Sequence, residues 1–310
     1  MLALHTNGYF LKNRDLQMAK SFMELGAVAP ENRVLIVDTL NLGFRWKHQG
    51  RTDFAEDYIK TVESFASSYN CGTIIAAMDR GHSAYRKSLY PEYKADREER
   101  YKDQTEAEKI AFENFMNEMY RTIDIMYEKT KIFTLVYDNV EADDIAAYIV
   151  KNREELGMEH IWLISTDRDW DLLINPYVSR FSYINRKETT FENWKDTHNY
   201  KIEDYITIKC LMGDSGDNIT GIPQIGPKRA EGLVKEFGSA FDIYDAAPFS
   251  SKYKYIQSLN ENIERLLRNY ELMDLLTYCE EAINFPDKSI DPTLNTDDIY
   301  EWLRPGNIRG

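Results

Sequence analysis

Short apolar runs and longer amphipathic stretches alternate along the first two thirds of the chain. "RVLIVD" (33–38), "TIIAAMD" (73–79), "KIFTLVYD" (131–138) and "HIWLISTDRDWD" (160–171) are rich in Val, Ile and Thr, and each run leads into an aspartate. Runs this short and apolar read as buried strands. Helical periodicity fills the intervals at 54–69, 105–128 and 141–156. Strand and helix in alternation predict an α/β fold, with a mainly parallel central sheet flanked by helices. Thr105 and Glu108 have the spacing of a capping box at the start of helix 105–128. Asn139 is placed to cap the helix that begins near Glu141. Beyond about residue 187 the strand signal fades, and 201–213, 226–237 and 252–275 read as helices. The pattern divides the chain into an extension (1–32), an α/β core (33–200), a helical region (201–285) and a polar tail (286–310) with one short final helix.

Composition narrows the class. A chain of 310 residues that is 43% hydrophobic builds one large domain or two closely joined ones. No apolar run approaches the roughly 20 residues that span a bilayer, and the N-terminus lacks a signal-peptide core. The expectation is a cytoplasmic, monomeric protein with no membrane contact. The three cysteines are far apart, without zinc spacing or disulfide logic, and the five histidines are scattered. The net charge of −14 argues against a nucleic-acid partner if taken alone. The way that charge is distributed along the chain points in the other direction.

Parallel sheets present ligands at the carboxyl ends of their strands. Asp38, Asp79 and Asp167 stand at such ends, and Asp167 and Asp169 form a D-x-D pair. In "NVEADDIAAYIV", Glu141 and Asp144 share a helix face, and Asp143 lies in the same first turn. "MGDSGDN" adds Asp214 and Asp217. On this topology nine carboxylates converge on one sheet edge. Neighbouring charges there repel by on the order of 1 kcal/mol per pair in water, and by more in a cleft. Taken singly, the acids of "VEADD" suit a helix dipole, those of "STDRDWD" a solvated loop, and Asp38 or Asp79 an ordinary strand end, but none of these explains the whole set. Hard divalent cations such as Mg²⁺ or Mn²⁺ resolve the repulsion, and two of them about 3.5–4 Å apart can clamp a phosphodiester.

Two further segments carry cations. In "GDSGDNITGIPQIGPKRAEGLVKEFGS" (213–239), Gly221 and Gly226 flank a tight turn, and Lys228 and Arg229 sit in the first turn of the next helix. A helix start of this kind suits a phosphate. In "DRGHSAYRKSLYPEYKADREERYKD" (79–103), Arg80, Arg86, Lys87, Lys94 and Arg97 are interleaved with Tyr85, Tyr90, Tyr93 and Tyr101. Cations track a backbone and aromatic rings stack on unpaired bases.

The order "VDTLNLGFRWK", "MDRG", "YPEYKADREERY", "VEADDIAAYIV", "LISTDRDWDLL", "MGDSGDNITGIPQIGPKRA" resembles the bacteriophage 5′-nuclease family (5′-3′ exonucleases and flap endonucleases), and also the nuclease domain of bacterial DNA polymerase I. The resemblance runs from about 33 to 280. It implies a PIN-like fold and metal ligands at Asp38, Asp79, Glu141, Asp143, Asp144, Asp167, Asp169, Asp214 and Asp217. It further implies a helical arch over roughly 80–128 with Lys94 and Arg97 as catalytic cations, beside Asp167 and Asp169. Arg80, Arg86, Lys87 and Tyr93 fall with them on the DNA side. Segment 213–239 corresponds to the family's helix–three-turn–helix, which grips duplex DNA through Gly221, Gly226, Lys228 and Arg229 and in some members holds K⁺. The implied cofactors are two Mg²⁺ (or Mn²⁺), and the implied partner is branched or 5′-ended DNA or an RNA/DNA hybrid. A PIN-type ribonuclease and a non-catalytic junction-binding protein remain alternatives.

Overall fold

The computed structural model describes residues 30–285 and 295–305, so the expected extension and most of the tail lie outside the described residues. The chain runs through β1 (Arg33–Asp38), α1 (Thr39–Lys47), α2 (Ala55–Tyr69), β2 (Thr73–Arg80), α3 (Ala84–Leu89), α4 (Ala95–Lys102), α5 (Glu106–Lys129), β3 (Phe133–Asp138), α6 (Ala142–Lys151) and β4 (His160–Ile164). A 3₁₀ turn at Asp169–Leu173 leads to β5 (Val178–Ser182) and β6 (Lys187–Thr189). The six strands form one sheet in the order β3-β2-β1-β4-β5-β6, parallel except for β6. Strand order reverses between β1 and β4, and ligands bind outside the carboxyl ends at such a switch point.

Alternation along β1 fills two cores. Val34 and Ile36 face α6 and the later helices, whereas Leu35 and Val37 face α1, α2 and α5. The helical region comprises α7 (Trp194–Thr197), α8 (Tyr205–Met212), the short β7 (Gly213–Asp214) and β8 (Ile219–Thr220), α9 (Pro227–Phe237), α10 (Ala240–Ala246), α11 (Lys254–Glu261), α12 (Ile263–Met273) and α13 (Leu275–Ile283). A third core lies among α8 to α12, whereas Leu275, Cys279 and Ile283 of α13 join the core of Val34 and Ile36. The last described helix is α14 (Thr296–Leu303). Among the described residues no helix is long and apolar enough to cross a membrane.

Several boundaries differ from the sequence pattern, each for a local reason. The fourth strand stops at Ile164, so Asp167 and Asp169 occupy a loop and a 3₁₀ turn beyond it. Helix 141–156 ends at Lys151, and the expected 252–275 helix breaks at Asn262. Asn139 does not cap α6; it turns in the left-handed region (φ 61°) and its N–H bonds the Arg80 carbonyl. The backbone N–H of Ala142 is instead met by Asp79 Oδ1 at 2.5 Å. The capping box of Thr105 and Glu108 is present. The pattern misses α1 because Asn41 and Gly43 dilute it. A Cβ at Gly43 would lie 2.5 Å from Met119 Sδ of α5, so that side chain would have to shift to admit one. It also misses β5, whose five residues are all buried although Ser179, Arg180 and Ser182 are polar.

Candidate metal centre and nucleic-acid interface

β1 delivers Asp38 to the switch point, where it closes the strand and caps α1. Its Oδ1 accepts from the Asn41 N–H at 3.2 Å and its Oδ2 from Ser165 Oγ at 2.7 Å. β2 delivers Asp79, and the first turn of α6 delivers Asp143, whose Oδ1 accepts from Trp170 Nε1 at 2.5 Å. Asp167 arrives on the loop after β4 and accepts from the Asp169 N–H. Asp38, Asp79, Asp143 and Asp167 act on one another. Burial, then Asp79 and Asp167, push Asp38 up to about 8. Burial and then Glu141 push Asp79 up to about 6. Asp143 is driven well up by burial, Asp167 and Asp79.

Cationic side chains hold the other five acids. Lys94 Nζ donates to Glu141 Oε1 at 2.5 Å, and Arg86 Nη1 to Glu141 Oε2 at 3.1 Å. Burial raises the Glu141 pKa, but these two cations outweigh it and bring it down to about 2. Arg86 grips Asp144 through both terminal nitrogens, at 2.6 and 2.7 Å. Lys209 of α8 bonds Asp169 and lies 3.2 Å from Asp214. Arg97 Nη2 meets Asp217 at 2.8 Å, with Lys94 Nζ 3.7 Å from the same carboxylate. Asp214 also accepts from the N–H of Gly216 at 2.8 Å.

The expected convergence is therefore divided. Among the described residues no three His, Cys, Asp or Glu side chains close on a common point as a finished ligand cage. Asp144 departs most from expectation: its side chain has no exposed surface, and both its oxygens belong to Arg86. Arg86 is corrected with it, since a cation 2% exposed and committed to Asp144 offers DNA nothing. Tyr93 is also buried, at 2%, and its hydroxyl contacts Glu141 at 2.9 Å and Asp217 at 3.2 Å. Lys94 is in a left-handed turn between α3 and α4 (φ 55°), 5% exposed, with its ammonium among the acids. The remaining donors still suit a hard divalent ion: all are carboxylate oxygens, and burial with mutual repulsion makes Asp38, Asp79 and Asp143 resist ionising without a cation.

The expected cations on the surface fare differently. Arg80 pairs with Asp138 at 2.8 Å, whereas Lys228 and Arg229 are exposed in the first turn of α9. Gly226 stands just before them with open space around its Cα, so a ligand can approach the backbone. Gly221 has a steric task instead: a Cβ there would lie 2.1 Å from the Met212 carbonyl oxygen. A cavity of about 1120 Å³ lies beside the acids rather than among them. It reaches from Asn41 and Thr166, near Asp38 and Asp167, past Arg45, Arg51, Lys60 and Arg186. Sequence reasoning missed this groove because its cations come from three separate segments. It also missed Lys209, for which a signal existed: a lysine inside the apolar "YITIKCLM", five residues before Asp214.

Comparison with known proteins gives this geometry its place. The model of the 5′-3′ exonuclease N-terminal, resolvase-like domain matches residues 33–201, and that of the 5′-3′ exonuclease C-terminal SAM fold matches 200–295. The chain is 44% identical to the flap endonuclease of Escherichia phage T5, over 84% of this chain and 89% of that one. It is 28% identical to DNA polymerase I of Rhizobium leguminosarum, over 64% of this chain and 18% of that one. A crystal structure of the phage T5 flap endonuclease with DNA and metal ions aligns with a TM-score of 0.79, at 41% identity, covering 87% of this chain and 97% of that one. A structure of the T5 5′-exonuclease with zinc aligns equally well, at 0.79. The chain belongs to the 5′-3′ exonuclease family.

Proposed function

We propose that this protein is a structure-specific 5′-nuclease that hydrolyses phosphodiesters at 5′ ends and flap junctions of DNA, acting as a monomer in the cytoplasm of a host cell. One observation carries the reading: buried carboxylates gather at the switch point of the sheet, where Asp38 is held near 8 by burial and by neighbouring acids. Two Mg²⁺ (or Mn²⁺) ions bound there would supply Lewis acidity and an activated water. Asp38, Asp79, Glu141, Asp143 and Asp167 are the proposed holders of one ion, and Asp169, Asp214 and Asp217 of the other. Residues 33–200 form the proposed nuclease core and 201–285 the duplex-gripping region, with K⁺ as a candidate ligand of segment 213–239.

The side chains divide the remaining work. Lys94 and Arg97 lie at the edge of the acid cluster, on the segment proposed as the arch, and balance charge on a phosphate drawn in there. Lys228 and Arg229 hold the backbone of duplex without reading bases. The groove lined by Arg45, Arg51, Lys60 and Arg186 offers a second phosphate track into the same acids. The test is product mapping on an end-labelled 5′-flap DNA with Mg²⁺, with Mn²⁺ and with chelator, beside a matched RNA/DNA hybrid. Metal-dependent cuts near the junction support the reading. Cleavage that survives chelation, or survives Asp167→Asn with Asp169→Asn, refutes it, and a strong preference for RNA favours a PIN-type ribonuclease.

A further inference from the structure

Arg86 lies in α3, at the foot of the segment that carries Lys94 and Arg97, yet it points inward. Its guanidinium joins three parts of the fold. Nη1 and Nη2 clasp Asp144, Nη1 also donates to Glu141 Oε2 at 3.1 Å, and Nε donates to the Leu272 carbonyl at the end of α12, at 2.9 Å. Burying such a group needs a reason. Ion pairs in a dry interior contribute little net stability, and apolar replacements of similar volume often serve as well or better. Orientation is what a planar, five-donor fork supplies and an apolar pair does not.

The recipient of that orientation is Glu141. It sits immediately before α6, in extended backbone, and its side chain makes no capping hydrogen bond to the helix. Arg86 Nη1 and the Tyr93 hydroxyl, the latter at 2.9 Å, share its Oε2, which leaves Oε1 directed to the place that Lys94 Nζ now holds at 2.5 Å. We propose that Arg86 is a positioning residue, anchored by Asp144 and the Leu272 carbonyl, that aims the Glu141 carboxylate at a divalent cation. Asp144 then anchors the arginine and is not itself a ligand. The inference rests on the proposed role of Glu141 as a metal ligand. It assigns the arginine of "AYRKSL" to the metal centre, where charge patterning alone placed it on DNA.

The test is calorimetric titration of the full chain with Mn²⁺ in the absence of DNA, with the melting temperature of each variant recorded alongside. Arg86→Lys keeps the charge and loses the fork. Groups that orient a metal ligand typically change metal affinity by about 10–100-fold when replaced, so a folded Arg86→Lys should bind Mn²⁺ at least about tenfold more weakly. Glu141→Gln should weaken the same site. If Arg86→Lys is folded and binds like the parent while Glu141→Gln does not, the positioning role is wrong and the ligand role stands. If Glu141→Gln also binds like the parent, both fall. Should Arg86→Lys fail to fold, Arg86→Met with Asp144→Leu restores a packed interior; parent-like Mn²⁺ affinity in that variant overturns the proposal, and a tenfold loss supports it.

Discussion

Replacing Asp38 with asparagine should make the metal-free protein more stable while abolishing its chemistry. The exchange is isosteric and the hydrogen bonds survive it. Asparagine Oδ1 can still accept from the Asn41 N–H, and its amide can donate to Ser165 Oγ, which now donates to the carboxylate. What changes is the charge. Asp38 rises from 3.8 to about 8, chiefly by burial and then by Asp79 and Asp167. A raised carboxyl keeps a proton in the folded state that the unfolded chain has already released. Stability contributed by that proton is therefore lost as pH rises from about 4 toward 8. Each unit is worth about 1.4 kcal/mol, so ionising Asp38 costs on the order of 5 kcal/mol at pH 8. For a protein of this size 1 kcal/mol moves the melting temperature by about 2–4 °C. Thermal melts in chelator from pH 5 to pH 8.5 should show the Asp38→Asn protein ahead by roughly 10 °C at pH 8, with the gap narrowing toward pH 5. Adding Mg²⁺ should raise wild type by more than the variant, which keeps Asp169, Asp214 and Asp217 for the second ion. Curves that run parallel across this range would show that Asp38 ionises freely, and the case for a repelling cluster would fail.

Three shorter predictions follow from other contacts. Lys94→Ala should slow single-turnover cleavage by at least about tenfold while duplex affinity in Ca²⁺ stays nearly constant; a change in affinity alone would make Lys94 a plain binding residue. Glu118 of α5 accepts the N–H groups of Phe54 and Ala55, both at 2.9 Å, so Glu118→Ala should cost about 2–3 kcal/mol in urea unfolding; a loss below about 0.5 kcal/mol would mean that water replaces the carboxylate. Lys228→Ala with Arg229→Ala should weaken binding equally for all duplex sequences and lower the salt slope by about 2, and a sequence-dependent loss would contradict a purely backbone contact.

The central sheet was legible because β1, β2 and β3 are apolar runs with a sharp end, and the end is where the acids stand. Period and composition suffice for such elements. β5 was not legible, because Arg180 lies buried in it and pairs with Asp171 at 2.6 Å; a polar letter in a strand hides an interior contact made nine residues away. The site shows the same division. Charge type and spacing along the chain singled out nine acids, whereas the partner each one takes is set by packing between distant elements. Arg86 and Tyr93 read as DNA-facing because cations and tyrosines are interleaved in 79–103, and only the fold reveals that α3 and the turn after it carry them toward Glu141. Lys209 was overlooked for the opposite reason, since a lone lysine among apolar neighbours invites no grouping with acids from other segments.

The turn that carries Lys94 is fastened to the loop bearing Asp214 and Asp217. The Lys94 N–H bonds the Asp217 carbonyl at 2.9 Å, and Asn218 Nδ2 bonds the Glu92 carbonyl at 2.8 Å. Two stretches more than a hundred positions apart thus behave as one mechanical part. Anyone grafting a relative's 80–128 segment onto this scaffold should transplant the 214–218 loop in the same step, because either half alone would arrive without its latch.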